Sequence, residues 1–509
     1  MSLTKVSYSM IQGAPVNVLD FGAVGDGVAD DTAAIQAAID YVGSIHGTLI
    51  IPAGLYKTTA TLYIDQSEFM LFGTGAINTG VGASRGLSGD KTTGSVIQYT
   101  GTACALQVSN SRSANPLTDG TNPGFIFNIQ IHNLRIEVPA NCVNGMLVFQ
   151  AAGGYFFNIS IWGSQSTGGV AAGTTLLTIR AGINNIFEKI DCLGIGRYTT
   201  AVPDYNYYVN FGVQLTLGYA NDLATTTIFR RCYFHYCNIG VNLSYIFEFE
   251  DCIFESCKQG IVCLSDITSN FERCWWEANI TSDIVFNNSI VSLKDCRINA
   301  NARQQFFSTG GGVQRLQFDN VYFSTSNAAP FIFGTNPSGE NIFSTITSEE
   351  IILFNNCSFP SNTQMGFIYN SDTVNKIQIQ NMPENVLRFK AAAVGASSTV
   401  TLTPDSGTGG YTMGRKGHIV GMTIYGSVAI SAGFLNVAIK KNGTNIADIS
   451  SPTLGSVTAL PFKRGFTPFF AKVAQNDILT AAINTDAAWS PSNDICLELV
   501  YATGPSGEV

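Results

Sequence analysis

The sequence predicts an all-β protein: a right-handed single-stranded parallel β-helix with a short N-terminal capping helix and a C-terminal antiparallel β-sandwich domain. Three observations predict it. A repeat with a period in the low twenties fills the middle of the chain, the composition is rich in core formers and poor in charge, and the strand pattern changes beyond Phe389.

Charged residues make up 12% of the 509-residue chain, well below the roughly 25% usual for soluble domains, while hydrophobics reach 45% with 33 Phe and 51 Gly. Such a chain hides much apolar surface behind an outer face of Ser, Thr, Asn and Gln. A net charge of −9 with only 27 Lys and Arg leaves no basic stripe for a phosphate backbone, which argues against nucleic acid. No apolar run approaches the ~18 residues of a membrane-spanning helix. The segment Met1–Met10 has no apolar core followed by a small-residue cleavage site, so synthesis in a cytosol is expected. Thiols stay reduced there, and the twelve cysteines are read as small buried side chains rather than as disulfides.

The first element is Asn17–Gly27, a short strand running into a Gly/Asp turn. Asp30 or Asp31 is a good N-cap for the helix that follows, in which Ile35, Ala38, Ile39 and Val42 form one apolar stripe. The strand-like Gly47–Gly54 comes next, so the helix is expected to cover the open end of a sheet that begins there.

The repeat is a large apolar residue, two variable positions, an apolar residue or Cys, one variable position and another apolar residue. Its copies begin at Ile131, Phe156, Phe187, Phe229, Phe249, Phe271, Leu293, Phe318, Phe354 and Ile379. From Phe229 to Phe249, Phe271 and Leu293 the steps are 20, 22 and 22 residues. Leucine-rich repeats would need Leu at fixed offsets and a helical turn in each unit, and neither is visible. Alternating stretches of β-branched and aromatic residues fit one coil of three strands instead. The third position, mostly Asn or Asp, reads as a tight left-handed turn, and the fourth, including Cys232, Cys252, Cys274, Cys296 and Cys357, points inward.

Beyond Phe389 the pattern becomes antiparallel. Leu435–Gly443 carries Asn442-Gly443 as a hairpin turn, with strands near His418–Tyr425, Phe469–Val473, Ile478–Ile483 and Ile495–Tyr501. The expected organisation is a connector over 1–16, the opening of the β-helix with its capping helix over 17–60, a catalytic or receptor-binding β-helix over 61–388 and a sandwich over 389–509.

The stretch Val16–Ile39, with Gly47–Tyr56 after it, closely resembles the opening of the pectate-lyase-like superfamily, and especially of phage tailspike and capsule-depolymerase proteins, in which a segment like Tyr8–Val16 commonly precedes it. That resemblance implies a homotrimer attached to a virion tail or baseplate through a short or missing N-terminal region, with a C-terminal domain for trimerisation or sugar binding. It implies synthesis in the host cytoplasm and action at the bacterial cell surface. Apolar residues expected on the outside, such as Ile253 and the segment Phe462–Phe470, suit a subunit interface.

On the repeat's register the fifth place faces outward and reads Tyr233, Ile253, Trp275, Arg297, Tyr322, and the seventh reads His235, Glu255, Glu277, Asn299, Ser324. Glu255 and Glu277 therefore become neighbours on adjacent coils. Glycoside hydrolysis needs a carboxylic acid to protonate the leaving oxygen and a carboxylate as base or nucleophile, ~5 Å apart in retaining and ~6.5–9.5 Å apart in inverting enzymes. Glu255 and Glu277 are the candidate catalytic pair, and His235, Tyr233, Trp275, Arg297 and Tyr205 the candidate substrate contacts. Tyr205 sits in a Tyr-rich interruption between Cys192 and Phe229 that also holds Tyr198 and Tyr219, read as a wall beside the coil of His235. Competing carboxylates are Glu248, Asp266 and Asp283, whereas Asp251 and Asp295 are assigned to the turn. The scattered His46, His132, His235 and His418 predict no zinc site, and no cofactor is expected; calcium, used by pectate-lyase relatives, stays open. The expected reaction is endo-hydrolysis of a capsular or lipopolysaccharide chain. The alternatives are β-elimination, with His235 or Tyr233 as base, and a spike that binds glycan without cleaving it.

Overall fold

The computed structural model describes residues 14–75, 94–113, 123–139, 141–163, 173–194, 209–216, 226–244, 246–264, 268–280, 282–287, 290–300, 305–308, 315–325, 332–333, 351–357, 364–365, 377–380, 384–405, 407, 409–413, 417–429, 431–446, 462–465 and 471–502. The chain forms two compact units, Met1–Leu316 with Tyr322–Thr347, and Gln317–Val321 with Ser348–Val509. Most of the connector, together with Tyr198, Tyr205, Tyr219, Asp266 and Asn381, lies outside the described residues.

Carboxylates organise the start of the first unit. Asp31 occupies the N-cap of the helix Thr32–Ile45, but its side chain turns back to accept from the backbone N–H groups of Val24 (2.6 Å) and Gly25 (3.1 Å). Asp30 supplies the capping bond instead, accepting from the Thr32 N–H at 3.1 Å and from the Thr59 hydroxyl at 2.6 Å. Gly25 and Gly27, at φ +71° and +77°, must be glycine twice over: their backbone is left-handed, and a Cβ would strike Tyr56 and Leu55. Ile35, Ala38, Ile39 and Val42 are fully buried, and the helix lies against Thr48–Ile51 and against Leu62–Ile64, the end strand of its sheet, whose edge would otherwise stand open.

From Thr227 to Phe333 each coil has three strands, whereas in the coils at Gln130, Tyr155 and Ile186 the first two run together as one. Thr227–Arg230, Tyr233–His235 and Cys237–Leu243 make one coil, and every strand pairs in parallel with its counterpart in the next, Phe247–Glu250, Ile253–Glu255 and Gln259–Leu264. Parallel strands so connected wind as a right-handed coil. The repeat's first position stacks inside as a phenylalanine file, with Phe187, Phe229, Phe249 and Phe271 each 5.0 Å from the next.

The left-handed turn is present in every described copy, from Asn133 (φ 58°) and Asn158 (53°) through Asp251 (54°) and Asp295 (53°) to Asn356 (51°). Arg231 (54°) and Arg273 (53°) occupy the same corner without the local bonding of Asn or Asp. They are tethered across coils instead: Arg273 donates to Asp251 at 2.8 Å and Arg231 to Glu188 at 3.3 Å. Next to the corners at Arg231, Asp251, Arg273, Asp295 and Asn356 an inward thiol donates to main-chain carbonyls, as Cys252 does to Phe229 (3.5 Å) and Glu250 (3.3 Å). Burial pushes the thiols of Cys252 and Cys274 far above their usual range, so they stay protonated donors.

A second file holds Cys237 and Cys257, but in the next coil Asn279 replaces the cysteine. Its oxygen accepts from the Cys257 N–H (3.0 Å), and its amide donates to the Phe254 carbonyl (3.0 Å) and to Asp283 (2.9 Å). Asp283 is fully buried, which makes it a core residue rather than a catalytic competitor.

In the second unit Phe318 stacks on Phe354 at 4.9 Å, and Ile351–Asn355 pairs in parallel with Ile377–Gln380. The remainder is antiparallel. One sheet joins Glu384–Val394, Asn493–Ala502, Gly417–Gly426 and Phe462–Gly465; the other joins Thr399–Thr401, Ile478–Thr485, Leu435–Lys441 and Thr444–Asn445. They share a core containing Phe389, Ile424, Ile483, Trp489 and Leu497. Asn442 (φ 53°) and Gly443 (φ 81°) form the expected two-residue hairpin turn. Of Phe462–Phe470, the positions after 465 lie outside the described residues.

Burial raises the Asp283 carboxyl from 3.8 to about 7, opposed by the Asn279 amide. Because the folded state holds this proton more tightly than the unfolded chain, its stabilising contribution is complete below 3.8 and is lost as pH rises to about 7. Denaturant unfolding at pH 5 and pH 8 should find the protein less stable at the higher pH, by a few kcal/mol. In Asp283→Asn that difference should largely vanish, and an unchanged slope would refute the assignment.

Candidate functional site

Alternation along the middle strand of each coil puts Phe234, Phe254 and Trp276 inside and leaves two columns outside. Asp191, Tyr233, Ile253, Trp275, Arg297 and Tyr322 stand in register in the first, and His235, Glu255, Glu277, Asn299 and Ser324 in the second. Glu255 and Glu277 are direct register partners, one strand spacing of ~4.8 Å apart along the backbone. Both are partly exposed.

Their neighbours differ. The Tyr233 hydroxyl donates to Glu255 Oε2. Glu277 Oε1 instead accepts from the Asn299 amide at 3.2 Å, and Asn299 Oδ1 accepts from the Ser324 hydroxyl at 3.2 Å. Beside the carboxylates the Arg297 guanidinium lies between two rings, 5.0 Å from Trp275 and 5.2 Å from Tyr322. Trp275 thus faces outward, while its neighbour Trp276 is buried against Phe254 at 5.0 Å.

Five of the residues singled out from the sequence, Glu255, Glu277, Tyr233, Trp275 and Arg297, therefore share one patch of the coil. His235 stands on its expected column but is closed to solvent at 2% exposure. Its Nε2 lies 2.7 Å from Asp191 Oδ1, so Nε2–H donates to the carboxylate, and its ring lies face to face with Tyr233 at 3.9 Å. A surface contact with a sugar, as expected from the pattern, does not match that burial. Tyr205 falls outside the described residues. Glu248 is exposed on the preceding strand, away from the two columns.

Two residues of this neighbourhood were not anticipated: Asp191 and Arg135. Arg135 is 1% exposed, donates to Glu137 and lies 3.6 Å from the Trp162 ring. Burial lowers its pKa from the usual guanidinium value, with Glu137 acting in the opposite direction. Both stand at the fifth place of the copies beginning at Phe187 and Ile131, so continuing the outward column toward the N-terminus finds them. Among the described residues, no group of three or more His, Cys, Asp and Glu side chains is placed to hold a metal ion.

Residues 15–262 match the family model described as rhamnogalacturonase A/epimerase, pectate lyase-like. The coiled unit is a parallel β-helix by its strand pairing. Mannuronan C5-epimerase AlgE1 of Azotobacter vinelandii is 61% identical over 44 residues, which are 8% of this chain and 3% of that protein. The match therefore spans a small fraction of the relative's length. Among solved structures, ORF18 of Geobacillus virus E2 superposes with a TM-score of 0.48 at 17% identity over 77% of this chain and 71% of that one. The Dettilon tailspike protein (gp208) superposes at 0.40 with 12% identity over 96% and 94%. The fold assignment rests on the strand pairing itself.

Glutamine at 255 or 277 keeps shape and hydrogen-bonding capacity on a partly exposed strand face. Thermal melting of Glu255→Gln and Glu277→Gln should stay within about 0.5 kcal/mol of the parent. Cys252→Asp should behave oppositely, placing a carboxylate in the interior file with no amide partner such as Asn279. Circular dichroism that found Cys252→Asp as stable as the parent would contradict the inward file.

Proposed function

We propose that the protein is a phage tailspike that binds and cleaves a bacterial surface polysaccharide, capsule or lipopolysaccharide, by endo-hydrolysis at Glu255 and Glu277. The observation that carries this reading is a pair of carboxylates on adjacent coils, each with its own hydrogen-bond donor, beside an outward aromatic and cationic surface. The pectate-lyase-like match and the tailspike titles among similar folds are consistent with a polysaccharide-directed role.

In this mechanism Trp275 and Tyr322 offer apolar faces to pyranose rings, and Arg297 donates to sugar oxygens. Glu277 protonates the departing glycosidic oxygen. Glu255, fixed by Tyr233, acts on the other side as base toward water or as nucleophile toward the anomeric carbon, and the separation of the two carboxyl groups around bound substrate decides which. The leaving sugar departs with the proton from Glu277, and water supplies the hydroxyl of the new reducing end. A β-eliminating reaction is the second reading, favoured by Tyr233, whose phenol could serve as a base.

Incubation with purified capsule or lipopolysaccharide, followed by sizing of the polymer, separates enzyme from binder. Shortened chains without absorbance near 235 nm are the expected product, since elimination leaves a conjugated double bond there (roughly placed, from the base-catalysed chemistry). Bound but uncut polymer would leave a receptor-binding spike. Glu255→Gln and Glu277→Gln should each lower turnover by about two orders of magnitude or more.

The same reading includes a homotrimer carried on the virion. Ile253 stands on the outer column and remains only partly covered within the subunit. Light scattering should return about three times the chain mass of 54.4 kDa. A stable monomer at working concentration would remove the trimer.

A further inference from the structure

We infer that Asp191 and His235 are positioning residues: covered from solvent on the outward columns, they hold the Tyr233 ring so that its hydroxyl is committed to Glu255, and this sets Glu255 apart from Glu277. The inference rests on the proposed roles of the two glutamates and goes beyond them by giving the pair its asymmetry.

Repeat symmetry makes that asymmetry a real problem. Glu255 and Glu277 occupy equivalent places on successive coils and follow the same kind of inward residue, Phe254 and Trp276. Nothing in the backbone distinguishes an acid from a base, so the distinction must come from the neighbours. On the C-terminal side the column continues with Asn299 and Ser324, an uncharged chain of hydrogen bonds ending on Glu277. On the N-terminal side stand Tyr233 and His235, and behind them Asp191.

The N-terminal side is built as a chain of contacts. Asp191 is 4% exposed, and its carboxylate accepts the Nε2–H of His235. That bond fixes the imidazole plane. The Tyr233 ring lies on it at 3.9 Å with only 13° between planes, and Tyr236 flanks the imidazole at 5.5 Å. A phenol held by ring stacking has little freedom, and its hydroxyl reaches Glu255. Among the described residues, His235 on the preceding coil and Glu277 on the following one stand in register with Glu255, and Tyr233 donates to it. A phenol donating to a carboxylate favours its ionised form, which suits a base or nucleophile.

The test is a double-mutant cycle on kcat, KM and the pH–rate profile, measured on the full chain with its polysaccharide. Tyr233→Phe should lower kcat roughly ten- to a hundredfold with little change in KM, the range of one charge-assisted hydrogen bond. Its acidic limb should move to higher pH, because Glu255 without a donor needs a higher pH to ionise. His235→Gln, which retains a donor for Asp191 but loses the flat ring, should move the same limb in the same direction. In the Tyr233→Phe background it should cost nothing further in kcat.

Several results overturn the inference. An acidic limb unmoved in Tyr233→Phe does so by itself, even where His235→Gln fails to fold. Fully additive losses in the double variant do so as well, since they would make His235 a general support of the fold. Asp191→Asn supplies the same cycle one contact further back. Failure of the underlying reading has a separate signature: Glu255→Gln and Glu277→Gln would both keep full activity, whatever Tyr233→Phe does.

Discussion

A parallel coil has to turn corners without breaking the ladder above and below it, and this chain turns one of them with a single residue at φ near +50°. The rest of the β-helix depends on that corner. It sets where the inward file of phenylalanines begins, and it leaves carbonyls that the adjacent cysteine thiols meet from inside. A one-residue slip at any corner would exchange inside for outside along the following strand. Asn and Asp fill most of these positions because their side chains make the left-handed backbone less costly. Where Arg stands instead, it is anchored to a carboxylate on a neighbouring coil.

The cysteine files follow from the same geometry. An apolar or small side chain fits next to the corner, and where it is Cys the weak thiol donor uses a second lone pair of a nearby carbonyl, as at Glu250, whose oxygen already accepts from the Arg231 N–H. Serine would also donate, but at a higher desolvation cost in an interior lined with Phe. Asn279 marks the limit of this solution. A full amide in a cysteine position satisfies the main chain of the coil before it, yet it has an extra donor left over, and Asp283 accepts from it. One polar substitution in the core has thus drawn in a second.

Most of this architecture was legible before any coordinates, because both of its periods are written in side chains: alternation along each strand and a step of about one coil between copies. The corner at the third position, the inward Cys, the outward Trp275 beside the inward Trp276, and the pairing of Glu255 with Glu277 all follow from alignment of the copies. What the pattern could not supply was depth. It puts His235 on the outer column without revealing that the imidazole is covered, because burial of an outward residue depends on what packs over the coil. It also leaves the choice between Asp30 and Asp31 open: Asp31 holds the N-cap position while its carboxylate serves Val24 and Gly25, and Asp30 makes the capping bond. Local capping rules treat one helix end; the choice between two adjacent aspartates was made by the loop folded against them. Asp191 and Arg135 lie on the same outward column N-terminal to Tyr233, at the fifth place of earlier copies.

A repeating scaffold offers an active site rigidity and register at the expense of variety. Successive coils place side chains in ranks, so two carboxylates one coil apart arise from nothing more than the same residue at the same place twice. That alone gives two equal groups competing for one proton, and chemistry that needs an acid and a base requires them to be unequal. Because the strands beneath are equivalent, the difference has to be imposed along the column, by whichever residues stand at its two ends. Here one end is an aromatic and imidazole stack backed by a buried aspartate, and the other a relay of amide and hydroxyl. Where a solenoid's periodicity breaks in its outward residues while the inward files continue is thus where its chemistry should be sought.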